Sequence, residues 1–238
     1  MKKLTILFSF SLFLLTFCNA QVIFEEDFEN GDIPMGWTIE TNATDGGWQV
    51  GTAGGLSSTY FNIQSNGSSR IAATNDDQCN CVKNADYLTM PPLDLTDQGA
   101  VILEFDAFYG ENTFQGATEN AEIAVSTDSL NWTTVLDLEG EAGWVRHTVN
   151  LSDYAGEPTV YVSFRYNDDG GWLFGFAIDN ITVEVPLGLD VELTRLNNKP
   201  FGEVGIDVPV SGRVTNKGAT TINSMEISYS VNGGMPVN

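Results

Sequence analysis

The chain is built of short runs in which apolar and polar residues alternate, punctuated by glycine, asparagine and aspartate. Ten of them read as strands: "VIFEEDFE", "GWTIE", "GWQVGT", "RIAAT", "VILEFDAFYG", "AEIAVSTD", "WTTVLDL", "WVRHTVNL", "TVYVSFRYN" and "GFAIDNITVEV". A period of two places one set of side chains on each face of a strand, and no long stretch of helical periodicity interrupts the pattern. About ten short strands separated by turn signals predict an all-β fold, an antiparallel jelly-roll β-sandwich. The alternation closes near Val185, so residues 21–186 are expected to form one domain of ordinary size with its own core.

Beyond it, "PLGL" (186–189) reads as a linker, and "DVELTRL", "VGIDVPVSGRVTNKG" and "INSMEISYSVNGG" bring further alternating runs. An immunoglobulin-like sandwich takes about seven strands and about 100 residues, yet 49 residues follow Leu189. Residues 187–238 are therefore read as the start of a partial immunoglobulin-like β-sandwich domain, apparently truncated. A catalytic domain or a sorting signal downstream of Asn238 is compatible with that reading.

At the other end, Lys2 and Lys3, the apolar run Leu4 to Phe17 and the small residue Ala20 make residues 1–20 a signal peptide. The run falls short of the roughly 20 residues a membrane span needs, so no transmembrane segment is expected in the mature chain. Cys18 as a lipid attachment site is an alternative, although Thr16 and Phe17 are not the small residues such sites carry. A secreted or extracellular location follows, with attachment to the outer-membrane surface left open.

Without Lys2 and Lys3, 8 basic residues face 32 acidic ones, a net charge of −24. Such a surface repels phosphate backbones and anionic lipid, so nucleic acid is excluded as a partner. It suits calcium, a hard cation that takes several oxygen ligands.

Cys79 and Cys81, in "NDDQCNC", are the only cysteines left after Cys18 departs. With the single His147 they supply three ligands, one short of a conventional zinc site. An oxidising compartment favours a Cys79–Cys81 disulfide over two buried thiols. Residues two apart on a strand lie near the limit of about 6–7 Å between Cα atoms, so a bridge requires a kink, which Asn80 tolerates.

Two carboxylates fall on the apolar parity of their strands. Glu26 shares parity with Phe24 and Phe28, and Asp179 with Ala177, Ile181 and Val183. A buried carboxylate costs several kcal/mol unless it is paired or holds a metal. If the first and last strands run side by side, Glu26 and Asp179 become candidate Ca2+ ligands, with Asp76 and Asp77 adding oxygens. The alternatives are exposure at a strand end, or a pair between Arg165 and Asp179.

His147 shares parity with Val145 and Val149 and reads as a core or strand-edge residue. No G-x-S-x-G, H-E-x-x-H, P-loop or dinucleotide fingerprint is present. Among the aromatics, Trp172 follows the loop-like "NDDGG" and is the first ligand-binding candidate, with Tyr60 and Phe61 after "GTAGGLSS" second. Trp37, Trp48, Trp132 and Trp144 are assigned to the core.

The ordered motifs "EEDFENGDIPMGWT", "TNDDQCNCVKNADYLTMPPLDLT", "EIAVSTDSLNWTTV", "VSFRYNDDGGWLFGFAIDNITVE" and "SYSVNGG" together resemble the cleaved-adhesin, or choice-of-anchor J, domain of Gram-negative surface proteins. That domain is similar to MAM domains and galactose-binding-like jelly rolls. The resemblance spans roughly Phe24 to Glu184. It implies a calcium-bearing β-sandwich used in adhesion, or in carbohydrate or protein binding, often beside hydrolases and ahead of immunoglobulin-like repeats and a type IX secretion signal. It also implies metal ligands on the strands of Glu26 and Asp179. Where gingipain-type modules carry an Asp-rich loop after the first Trp, this chain has "ETNATDGGW" with only Asp45. The expected function is a non-catalytic, calcium-stabilised binding module for extracellular glycans or host and matrix proteins. The alternatives are an accessory domain of an exported peptidase or glycosidase, and a structural spacer.

Overall fold

A computed structural model describes residues 21–188, 190–197, 211–218, 220–226 and 228 of the 238. The signal-peptide assignment to residues 1–20 lies outside these residues, as does much of 187–238.

Fifteen strands are described: β1 (Gln21–Glu26), β2 (Thr38–Glu40), β3 (Gln49–Gly51), β4 (Ile71–Asn75), β5 (Asp86–Thr89), β6 (Ile102–Tyr109), β7 (Thr113–Phe114), β8 (Ala117–Thr118), β9 (Asn120–Ser126), β10 (Thr133–Asp137), β11 (Trp144–Asn150), β12 (Tyr161–Asn167), β13 (Gly175–Val185), β14 (Val191–Leu196) and β15 (Gly212–Asn216). Each of the ten alternating runs contains one. The reading overlooked β5, whose "DYLT" is cut short by Pro91 and Pro92, and the small β7–β8 hairpin. Two one-turn helices, α1 (Ala53–Leu56) and α2 (Asp76–Cys79), lie between strands.

The strands form an antiparallel jelly-roll sandwich. One sheet runs β11-β6-β13-β4-β3, and the other β10-β9-β12-β5-β2. β13 organises the first sheet. Along one edge it pairs with β6; along the other it pairs with β4 from Gly175 to Ile178 and with β1 from Ile181 to Val185. Within 187–238 the described residues include the antiparallel pair β14–β15, and Lys217 beside it donates to Glu104 on β6 at 2.6 Å.

The main core fills the space between the sheets. Phe105 meets Phe164 edge-on at 5.2 Å, and Trp37 stacks on Phe164 at 6.4 Å. Burying one such ring stabilises by about 1.5–3 kcal/mol. A second cluster of Phe61, Ile63, Ile71, Ala73 and Ala177 lies apart from the first. β4 alternates between them, Ala72 in the main core and Ala73 in the second, which is why all five of its residues are buried.

The parity expected of β13 fails at one residue. Phe176 and Ile178 belong to the main core, Ala177 to the second cluster, and then Ile181 and Val183 again to the main core. Asn180, with φ of 50°, absorbs the extra step, and the pairing with β6 shifts register between Asp179 and Thr182. Asp179 therefore shares a face with Ala177, opposite to the side of Ile181.

Candidate functional site

α2 follows directly on β4. The Asn75 side chain accepts from Gln78 N at 2.9 Å and caps its start. Asn80 ends it in the left-handed region, with φ of 46°. That turn brings the Cα atoms of Cys79 and Cys81 to 5.1 Å, and the two are joined as a disulfide.

The adjacent carboxylates of α2 face the loop before β13. Backbone N–H groups of Asp76 and Asp77 both donate to Phe174 O, at 3.0 and 3.1 Å. Asp77 O accepts from the Trp172 indole at 3.2 Å, and Asp77 Oδ2 accepts from Tyr60 N at 2.9 Å. One residue thus positions both rings. Asp76 Oδ2 accepts from Leu173 N at 2.6 Å, while Glu119 Oε2 accepts from Phe174 N, Gly175 N and the Tyr166 hydroxyl. Gly175 has φ of 149°, and a Cβ there would run into Thr74 O, so no other residue lets β13 start this close to β4.

Above this bonded floor lies a pocket of about 320 Å³ walled by Tyr60, Phe114 and Trp172. All three rings are exposed, Trp172 at 42% and Tyr60 at 65%. Tyr60 and Phe114 stand at 84° and 87° to the indole, with centroids 6.3 and 6.4 Å away. Phe114 was missed in the sequence. Its signal was "TFQGAT", a two-residue hairpin in which Gln115 and Gly116 both take positive φ. Phe61 is corrected: it is 2% exposed, packed into the second cluster against Phe108, because the chain turns it inward where its neighbour Tyr60 faces out.

Electrostatics under the pocket are unusual. Burial pushes the Asp76 carboxyl up to about 7, with Asp168 and Asp77 adding to the effect against the Leu173 hydrogen bond and Lys83. Burial likewise raises Glu119 to about 7. Asp76 Oδ1 and Glu119 Oε1 are buried without a hydrogen-bond partner among the described residues. Lys83, fully buried, is bonded to Asp45 and Asp86. Asp45, the one aspartate of "ETNATDGGW", is thus an ion-pair partner.

The four nominated metal ligands are not gathered. Asp76 and Asp77 lie beside the Gly175 end of β13, four residues from Asp179. Glu26 pairs with Ile181, on the other side from Asp179, because of the Asn180 bulge; its Oε1 accepts from Phe28 N. Asp179 is buried and accepts from Asn66 Nδ2 and Asn180 N, at 2.5 and 2.8 Å. Burial raises its carboxyl. Among the described residues the only trio of Asp, Glu, His or Cys with ligand atoms within 4.8 Å is Asp45, Cys79 and Cys81, whose sulfurs are bonded to each other.

Arg165 pairs with Glu122 at 3.7 Å rather than with Asp179, and it lies between the rings of Tyr87 and Trp132. Trp132 is therefore no core residue, whereas Trp144, half-buried on the edge strand β11, packs against the second cluster beside Phe108. His147 is half-buried and stacked on Phe105 at 5.3 Å, and burial lowers its pKa. No helix among the described residues is long and apolar enough to cross a membrane.

Among solved structures, the chain is similar to two cleaved adhesin domains of Lys-gingipain from Porphyromonas gingivalis. One shows 22% identity and a TM-score of 0.48 over 67% of this chain and 96% of that one. The other shows 20% and 0.48 over 68% and 99%. The CBM22-2 xylan-binding domain of Paenibacillus barcinonensis Xyn10C matches at 14% and 0.42 over 68% and 98%. No curated protein matches. Residues 21–134 match the family model of the Cleaved Adhesin Domain, and this chain carries a cleaved-adhesin domain.

Proposed function

We propose that this domain is an extracellular, non-catalytic binding module whose ligand, a glycan or a host or matrix protein, sits in the pocket of Tyr60, Phe114 and Trp172. The observation behind this is three exposed aromatic rings, one from each of three separate segments, converging on one concavity above a floor fixed by Asp77. Exposed aromatics cost solvation, and their convergence at a pocket is the usual signature of a binding site. Glycan arrays and immobilised matrix proteins, probed with wild type and Trp172→Ala, test it. Binding lost in the variant with its melting curve unchanged supports the site. Binding retained at full strength in the variant refutes it.

Calcium stabilisation is a second proposal, supported by one observation. Asp179 is a buried carboxylate held by amide donors, with no basic residue bonded to it among the described residues. A cation beside it would offset its desolvation. Asp179 is the residue that would hold the ion, Glu26 lying on the other side of the Asn180 bulge, and the ion would supply fixed positive charge and no chemistry. Saturating calcium should then raise the melting temperature, by about 2.7 kcal/mol of stability at a hundredfold excess over the dissociation constant. Asp179→Asn should abolish that gain; an identical gain in the variant would remove Asp179 from the site.

A further inference from the structure

We infer that the Tyr60–Phe114–Trp172 pocket captures a cationic side chain, a lysine or arginine presented by a basic segment of a protein partner. The inference deepens the proposed binding reading and rests on it. Ring geometry is the first support. Tyr60 and Phe114 stand almost perpendicular to Trp172 on separate contacts of 6.3 and 6.4 Å. Coplanar rings make a platform for flat sugar faces, whereas walls meeting near right angles enclose a compact group. A cation within about 6 Å of a ring centroid is attracted by the ring quadrupole, and more strongly where water is excluded. A cavity of about 320 Å³ is ample for a lysine side chain.

Charge is the second support. The lining contributes the Asp77 carboxylate and no basic residue. Beneath it, Asp76 and Glu119 grip the floor through one oxygen each, and their other oxygens are buried and unpartnered. The Lys83 ammonium is occupied by Asp45 and Asp86. A neutral sugar gains nothing from the Asp77 carboxylate of the lining, and an anionic glycan is repelled by it and by the acidic surface around it. A lysine ammonium is attracted both by the floor and by the rings. At long range, the net charge of −22 steers a basic partner toward the surface.

The test is calorimetric titration of the full chain with an acetylated Lys-Gly-Lys-Gly-Lys amide, the same peptide acetylated at its lysines, and a neutral galactotriose. The lysine peptide should bind, weaken at least tenfold between low and high salt, and lose binding on lysine acetylation. Trp172→Ala and Phe114→Ala should each weaken it at least tenfold. Glu119→Gln, which leaves the walls in place, should weaken it several-fold, and Trp132→Ala, outside the pocket, should leave it unchanged. Melting curves identify any variant that fails to fold, and Trp172→Phe, which keeps a ring, should then show intermediate affinity. Peptide binding indifferent to Trp172 or to lysine acetylation overturns the inference, as does no peptide binding. Galactotriose binding that needs Trp172, without peptide binding, overturns the inference while sustaining the pocket as the ligand site.

Discussion

Replacing Asp76 by Asn should stabilise the protein at alkaline pH and leave it little changed near pH 4. Asp76 has no exposed surface, and burial raises its carboxyl from 3.8 to about 7. With the native value above the unfolded one, the native state binds more protons across that interval. Stability conferred by the protonated form is therefore lost as pH rises from about 4 to 7, and the loss is complete above it. At about 1.4 kcal/mol per pKa unit the full penalty approaches about 4 kcal/mol. The new amide keeps an acceptor for Leu173 N but brings a donor with no assigned partner. About half of the gain should survive, about 2 kcal/mol at pH 8. For a domain of this size that is about 4–8 °C in Tm. Thermal unfolding of wild type and Asp76→Asn at pH 4, 6 and 8 reads the difference. A gap that does not grow with pH, or a variant less stable at pH 8, refutes the assignment of Asp76 as an uncompensated buried carboxylate.

Gly175→Ala should cost about 2–4 kcal/mol by chemical denaturation, since its φ of 149° and the approach of Thr74 O leave no room for a Cβ; a neutral result would mean the β4–β13 junction relaxes freely. Lys83→Met should destabilise by about 3–5 kcal/mol by chemical denaturation, because it strands buried Asp86 without its cation. Phe61→Ala should cost about 3–5 kcal/mol of stability, whereas Tyr60→Ala should leave the melting temperature nearly unchanged and weaken ligand binding. Reversed outcomes for that pair would mean the wrong neighbour has been assigned to the pocket.

The sandwich was legible because period-two alternation survives in nearly every strand. It was least legible where alternation is broken or hidden. "DYLT" is too short to register a period, whereas "RIAAT" was read as a strand although β4 is buried on both faces. Asp179 illustrates the limit well: its identity marked it as an oddity, but a single αL residue, Asn180, reverses which face it occupies, and no local pattern announces that step. "NDDQCNC" behaved differently, since a kink at Asn80 is a local demand. Trp172 stood out through the turn residues before it, while Phe114 did not, because its partners come from elsewhere in the chain and Gln-Gly is a faint hairpin signal. The role of Asp77 in holding Tyr60 and Trp172 joins residues 17 and 95 positions apart, and spacing alone carries no such information.

The central place of β13 has a consequence for the order of events during synthesis. Its partners β1, β4 and β6 all precede it, and β1 begins at Gln21 while β13 ends at Val185. On a growing chain the six-stranded sheet lacks its middle until Val185 has emerged, so its earlier strands wait with open edges. Closure across so long a separation is slow. The first sheet therefore closes as a unit only once β13 joins strands that were made up to about 160 residues earlier.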